Sequence, residues 1–383
     1  MKKTKSTLLI LFVVLVLVLT SCGTSIGISR LVPAKVDVSG YKTIAVRSTI
    51  DETHWITPVF WNSTVPFISV GDSYWNYMYM RSYLDFNVSS RISNAASNMI
   101  YKSINTGYFK VLDPTLTDSI VNVGQYSGNM RQTLLDNGID AILTTKISNL
   151  YYDEYITAEV SKYSTTDKSG ARYYPTYFYL VQKYEITISY ALSDVENNKI
   201  IATNTFSSDM KQNKTQIGRT IDAKGTYEAE KYYHIDTAST LFENLIKQFA
   251  DKFRNELTPH YVTTYFDFMP NKPEVKGLDA AYDALEDEKW GVALQLFADQ
   301  YKKSGHIPSG YNAAILYFTQ GQYEKSFDLA MELYNKYGNT DALDLYQKLK
   351  NIAANEKAAE EQISSTEKSA GSTTTGSGGV IGM

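Results

Sequence analysis

The sequence predicts two folded parts: an α/β (α+β) N-terminal domain with a mixed sheet, and a small all-α helical-repeat domain after it. Three observations predict this. Short β-branched runs alternate with amphipathic helical stripes over the first two thirds of the chain. Residues then recur at an offset of 33 within a helical pattern, Trp290 with Tyr323 and Ala293 with Ser326. The chain ends in polar, low-complexity sequence. A length of 383 residues agrees with two domains, and 43% hydrophobic content supports a real core.

In chain order, residues 1–21 read as an export signal. Lys2, Lys3 and Lys5 precede an apolar run over 8–19 that is shorter than the ~20 residues of a spanning helix. Cys22, the sole cysteine, ends the run Leu19-Thr20-Ser21-Cys22, and 22–35 read as a tether. Residues 41–47 form a strand, with Ile44 and Val46 alternating against Thr43 and Ala45. Residues 51–80 are irregular and aromatic, broken by Pro58, Pro66 and Gly71. Trp55, Trp61, Trp75 and Tyr77 in this stretch are candidates for gripping a partner, since such residues dominate binding hot spots; the same residues also suit a loop folded back on the sheet.

A helix follows over 86–104, with Val88, Ile92, Ala95, Ala96, Met99 and Ile100 on one face, and a strand over 108–112. A helix over 130–136 closes at Asn137-Gly138, a pair suited to a left-handed cap. The strand 139–150 and the long β region 173–192 carry the sheet, the latter alternating Tyr184, Ile186, Ile188, Tyr190 and Leu192 on one face. Asn197-Asn198 turns the chain into a partner strand over 199–206. Residues 208–232 are polar and charged and read as loop. A helix from the Asp236-Thr237 cap to residue 257 carries the stripe Ala238, Leu241, Phe242, Leu245, Ile246, Phe249 and Phe253. These elements bound an α/β domain at 36–265.

The second domain covers 276–355. Its units are LDAAYDALEDEKWGVALQLFADQY and YNAAILYFTQGQYEKSFDLAMELYNKY. They resemble the tetratricopeptide repeat, a helix–turn–helix of period about 34. The repeat-packing positions are Ala281, Trp290 and Ala293 in the first unit, and Ala314, Tyr317, Gly321, Tyr323 and Ser326 in the second. A third helix over 341–354 caps the stack. Two units fall below the number that is stable alone, so the module is expected to pack on something else. Residues 356–383 read as a disordered tail.

The run ending at Cys22 resembles the bacterial lipobox, which implies cleavage before Cys22 and lipid on its sulfur. Gly23 and Thr24 after it resemble an outer-membrane address. The order of elements through DNGIDAILTTKISNL and NNKIIATNTF resembles the curli-secretion lipoprotein family (CsgG-like) and the related penicillin-binding-protein activator lipoproteins (LpoB-like). That resemblance covers about 36–260. It implies an envelope lipoprotein, and in pore-forming members two hairpins that build a membrane barrel. Here those hairpins fall at 150–192 and 208–232. Both are interrupted by charge, including Asp153, Glu159, Lys183 and Glu185, where a barrel needs an apolar outer band.

Nothing in the sequence supplies catalytic machinery. His54, His234, His260 and His306 lie far apart and read as surface or turn residues. Asp153 and Glu154 are strand neighbours and point to opposite faces. The run Glu286-Asp287-Glu288 reads as the solvated end of a repeat helix. No phosphate loop or nucleophile elbow is present, and no cofactor or metal is expected. A net charge of −4 argues against nucleic acid. The 31 tyrosines suit half-wet strands. The expectation is a non-enzymatic, membrane-anchored scaffold or regulator with envelope protein partners. The alternative is a subunit of an oligomeric outer-membrane secretion pore, and a homo-oligomer fits either reading.

Overall fold

The structure, a computed structural model, describes residues 25–53, 88–230 and 235–371. The fold class is the expected one: a mixed sheet with helices, and a C-terminal all-helical region. Among the described residues the chain forms two compact units, 34–258 together with 362–371, and 25–33 together with 259–361.

The α/β unit is built on β2 (Thr43–Val46), all four residues of which are buried. It runs parallel to β4 (Lys110–Leu112) on one side and to β5 (Ala141–Val160) on the other. A strand covered on both faces needs apolar residues on both, which is why TIAV is continuous rather than alternating. β5 pairs antiparallel with β8 (Thr176–Asp194), whose far edge carries β9 (Lys199–Ser207) and β10 (Lys211–Thr220). β3 (Ile50–Asp51) lies parallel to β5, and β11 (Tyr227–Ala229) closes the edge on β10. Two short strands, β6 (Thr165–Thr166) and β7 (Arg172–Tyr173), pair at the tip of the β5–β8 arm.

One face of the sheet is covered by α1 (Val88–Ile104), α4 (Ala238–Lys247) and α5 (Ala250–Leu257), which bury Ile92, Ile100, Phe242 and Phe253 against Ile44, Leu143 and Ile188. The other face of β2 and β4 is covered by α2 (Pro114–Ser127) and α3 (Met130–Asp136), through Val121, Leu134, Ala45 and Leu112. α3 ends as expected: Gly138 takes φ +66°, and the N–H groups of Gly138 and Ile139 bond back to Leu135 O and Leu134 O. α2 was not anticipated. Its start is nevertheless written in the sequence, with Pro114 in the first turn and Asp113 capping Leu116 N at 3.1 Å.

Three expectations in this unit change. Residues 208–232 are not loop: β10 and β11 form there, held by the β8 ladder and by Ile217 packing on Phe178, Leu180 and Ile235. The helix over 236–257 is two helices, because Gln248 and Phe249 take short-range bonds to Leu245 O and Ile246 O; the predicted stripe stays buried across the break. A register shift between Ile147 and Asn149 lets β5 run ten residues past residue 150 with its inward face kept.

The helical unit contains α6 (Asp279–Glu286), α7 (Trp290–Ser304), α8 (Ile307–Thr319), α9 (Tyr323–Tyr337) and α10 (Thr340–Gly371), the last counted here to residue 361. The offset of 33 is visible in the backbone bonds. Lys289 N bonds Ala284 O at 2.8 Å and Gln322 N bonds Tyr317 O at 2.9 Å. Gly305 N and Gly338 N each bond the residue four back at 2.7 Å. The turns match as well: Gly321 takes φ +72°, and Glu288 takes φ +58° at the equivalent place, despite its side chain.

Two segments depart from expectation here. Within the stretch read as a tether, β1 (Ser25–Val32) is a full strand, paired antiparallel with β12 (His260–Asp267). Ile26 and Ile28 alternate inward and, with Phe266 and Phe268, pack on the helices. β12 therefore belongs to the helical unit, although the sequence boundary of 265 placed it with the sheet. The tail is also ordered as far as Gly371: α10 continues through 356–371, with Ala359 fully buried and Glu356 bonded to Arg30 and Tyr323. NEKAAEEQ is polar but rich in strong helix formers, so its composition concealed a helix.

Candidate functional site: a face that grips extended main chain

Three helices of the helical unit each present a polar side chain to the main chain of β12 or of the segment that follows it. α8 supplies Asn312, fully buried, whose amide accepts from Met269 N at 2.7 Å and donates to Met269 O at 2.9 Å. An amide carries both an acceptor and donors, so a single side chain closes both backbone groups of Met269. α6 supplies Tyr282, whose hydroxyl donates to the same Met269 O at 2.7 Å. Burial pushes the Tyr282 phenol up to about 12, with the bond from Asn312 opposing, so it stays a donor. α10 supplies Lys348, whose Nζ donates to Tyr265 O at 2.8 Å and sits 4.3 Å from the centre of the Phe266 ring.

His306 extends the grip at the start of α8. Its Nε2 lies 3.1 Å from Pro273 O, and its Nδ1 lies 2.7 Å from Ser309 Oγ. A carbonyl only accepts, so Nε2 carries a proton. Burial holds the ring's pKa below the ordinary histidine value, so at neutral pH the ring is uncharged and its Nδ1 accepts from Ser309 Oγ. His306 was expected at a surface or turn; it occupies the turn before α8 but is buried, because both ring nitrogens find partners there.

β1 is fastened to the same helices through Arg30. Its guanidinium lies 3.4 Å from Glu356 Oε1 and 3.3 Å from Phe318 O. It also sits 5.6 Å and 5.9 Å from the ring centres of Phe318 and Tyr323. Tyr323 OH donates to the other Glu356 oxygen at 2.7 Å. Chemically, the arrangement satisfies main-chain groups at Tyr265, Met269 and Pro273 from successive helices, while Phe266 and Phe268 between them are buried in the helical core.

The predicted packing positions behave as a set. Ala281, Ala293, Ala314 and Ser326 are fully buried, where helices cross. Ser326 Oγ donates to Ala314 O at 2.7 Å, joining two of them directly. Trp290 and Tyr317 are half-buried on the same core, Tyr323 stacks beside Phe327, and Gly321 makes the turn. Cys22, Trp55, Trp61, Trp75 and Tyr77 lie outside the described residues. The gripping residues Arg30, Tyr282, Asn312 and Lys348 were not anticipated. A buried asparagine within an alanine-rich helix was the one visible sign.

A second concavity, about 260 Å³, lies on the sheet and is lined by Thr144, Lys146, Ser189, Tyr190, Ala191, Thr203, Asn204 and Thr205. Its one cation, Lys146, pairs with Glu52 at 2.6 Å. Among the described residues no group of three or more His, Cys, Asp and Glu side chains could hold a metal ion, and no helix is long and apolar enough to cross a membrane.

No protein-family profile and no curated protein sequence matches the chain. Solved structures align with part of the chain. The PelC dodecamer from Paraburkholderia phytofirmans is 10% identical, covers 60% of this chain and 98% of its own, and has a TM-score of 0.23. A neuraminyllactose-binding hemagglutinin homolog from Helicobacter pylori is 9% identical over 59% of this chain and 91% of its own, with a TM-score of 0.26. The lipoprotein GNA1162 from Neisseria meningitidis is 10% identical over 55% of this chain and 99% of its own, with a TM-score of 0.20. Likenesses at this level assign this chain no ligand, activity or partner.

Proposed function

We propose that this chain is a non-enzymatic envelope lipoprotein, anchored through Cys22, that supports an envelope assembly by protein contacts made from a tetratricopeptide-like helical module. The observation that carries the reading is the Asn312–Met269 grip, with Tyr282, His306 and Lys348 on either side of it. This is peptide-holding chemistry set across successive helices, and its occupant is the chain's own segment 265–273. The module is thereby complete without further repeats, and its partner must meet the outward helices. Val292 on α7 is exposed and gives a position from which to probe those helices. The pore alternative is less well supported. The apolar residues Phe178 and Leu180 of the β5–β8 arm are buried under Ile217 and Ile235, and the opposite face carries Asp153, Glu159, Lys183 and Glu185.

The test is a photo-crosslinking amino acid at position 292 in intact cells. The reading expects one defined envelope protein, lost when Val292→Glu is combined with a crosslinker at a neighbouring exposed position. A ladder of the protein crosslinked to itself would overturn it. Deleting 278–350 is a poor substitute, because it strips the cover from Ile26, Ile28, Phe266 and Phe268.

A further inference from the structure

We propose that the outward face of the β1–β12 ribbon is a bilayer-contact surface, pressed onto lipid head groups by the anchor on Cys22. The inference rests on the lipoprotein reading and adds which part of the protein meets the membrane.

The first observation is reach. Ser25 opens β1 only three residues after Cys22. Three residues span at most about 11 Å even when fully extended. A head-group layer is itself roughly 5–7 Å thick, the difference between core and total bilayer thickness shared between two sides. The end of the ribbon, where Ser25 pairs with Asp267, therefore cannot stand off from the lipid surface.

The second observation is that this end is fixed to the module. β1 keeps an unbroken register with β12 from Ser25↔Asp267 to Val32↔His260. Ile26 and Ile28 are in the helical core, and Arg30 is bound by Phe318 O and Glu356. A short leash on a mobile strand would position nothing; here it positions the ribbon and the helices packed on it.

The third observation is what the face presents. Near the Cys22 end it alternates Ser25, Gly27 and Ser29 with Thr263 and Tyr265, and ends in Asp267. Tyr265 is 66% exposed although it is large and aromatic. Its ring edge approaches Gly27 so closely that an added Cβ would meet it at 3.0 Å, so Gly27 leaves the room this tyrosine occupies across the ribbon. Farther along β12, Tyr261 is 68% exposed. Leu31, opposite Tyr261 on this face, is buried, so the open part of the face is the end running from Ser25 to Ser29. A tyrosine among hydroxyls and glycine there suits the head-group level, where an apolar body and a polar tip are both satisfied. Asp267 is the one charged residue of the set, so the face neither needs nor strongly repels anionic lipid.

The experiment uses the full, lipidated protein in vesicles of phosphatidylethanolamine and phosphatidylglycerol. Cys22 is the only native cysteine, and its sulfur is blocked by lipid, so Thr263→Cys or Asp267→Cys gives a single free thiol. Each is labelled with a small fluorophore and read against head-group nitroxide lipids. Both labels should be quenched about twofold more than in a protein with a twenty-residue Gly/Ser insert between Thr24 and Ser25, whose leash averages roughly 25 Å. Equal quenching with and without the insert, in proteins that both float with vesicles, would overturn the contact surface and leave the anchor intact. Failure of the parent protein to float, or flotation of Cys22→Ser equal to it, would sink the lipoprotein reading and this inference with it.

Discussion

Replacing Arg30 by alanine should loosen the helical unit at its N-terminal strand. The guanidinium is only partly exposed, its side chain at 21% and that of its partner Glu356 at 19%. Each of its two ring contacts is worth about 0.5–1 kcal/mol at this degree of desolvation. The pair with Glu356 and the bond to Phe318 O together add roughly 1–2 kcal/mol, both being long. Against this, Arg30 Nε is buried with no partner among the described residues, which offsets about 1 kcal/mol. The net loss is therefore about 2 kcal/mol, and the midpoint for this unit falls by roughly 5–10 °C. Arg30→Met keeps the stem packing and should lose about half as much. Thermal unfolding by circular dichroism, with limited proteolysis to separate the two units, reads the effect. A double-mutant cycle with Glu356→Gln should return a coupling of about 1 kcal/mol. A loss under about 0.5 kcal/mol for Arg30→Ala would refute the claim that this contact fastens β1 to the helices.

Asn312→Ala should cost about 1–3 kcal/mol, because it leaves Met269 N without its acceptor and Met269 O with Tyr282 alone, and Asn312→Asp should recover only part of this, since its carboxylate accepts from Met269 N but brings a charge into a buried site; urea denaturation measures both. Glu288→Gly should stabilise by about 0.5–1 kcal/mol by relieving a left-handed conformation, while Gly321→Ala should destabilise by about 1 kcal/mol at the matching turn; equal signs would contradict the equivalence of the two turns. His306 predicts a pH dependence. Its folded pKa lies below the unfolded value near 6.5, so the unfolded chain binds the proton first and stability falls as pH drops below about 6.5. The slope is at most about 1.4 kcal/mol per pH unit, and His306→Gln should flatten it in thermal scans between pH 5 and 7.5.

What was legible in the sequence was local. The Asn137-Gly138 cap, the Tyr184 to Leu192 alternation and the 33-residue offset each follow from neighbours in the chain, and each is in the structure. What escaped was non-local. β1 is Ser- and Gly-rich and gains its partner from β12, more than 200 residues away, so its short apolar alternation read as tether. β10 carries Lys211, Lys214 and Arg219 and is held by ladder bonds to β8 more than by burial of its own side chains, which pattern reading does not detect. α2 buries only Pro114, Thr117, Val121 and Gly124, too weak a stripe to stand out. The gripping residues form no motif: Tyr282, His306, Asn312 and Lys348 are brought together only because three helices face the same segment.

The account depends most on Cys22, because the proposed anchor there would set both the compartment and the part of the protein that meets the membrane. Mass spectrometry of the N-terminal peptide from membrane-extracted protein tests it directly. The prediction is a mature chain beginning at Cys22, with a diacylglyceryl thioether on its sulfur, and loss of that species in Cys22→Ala. A mature N-terminus elsewhere, or a free thiol at Cys22, would contradict it.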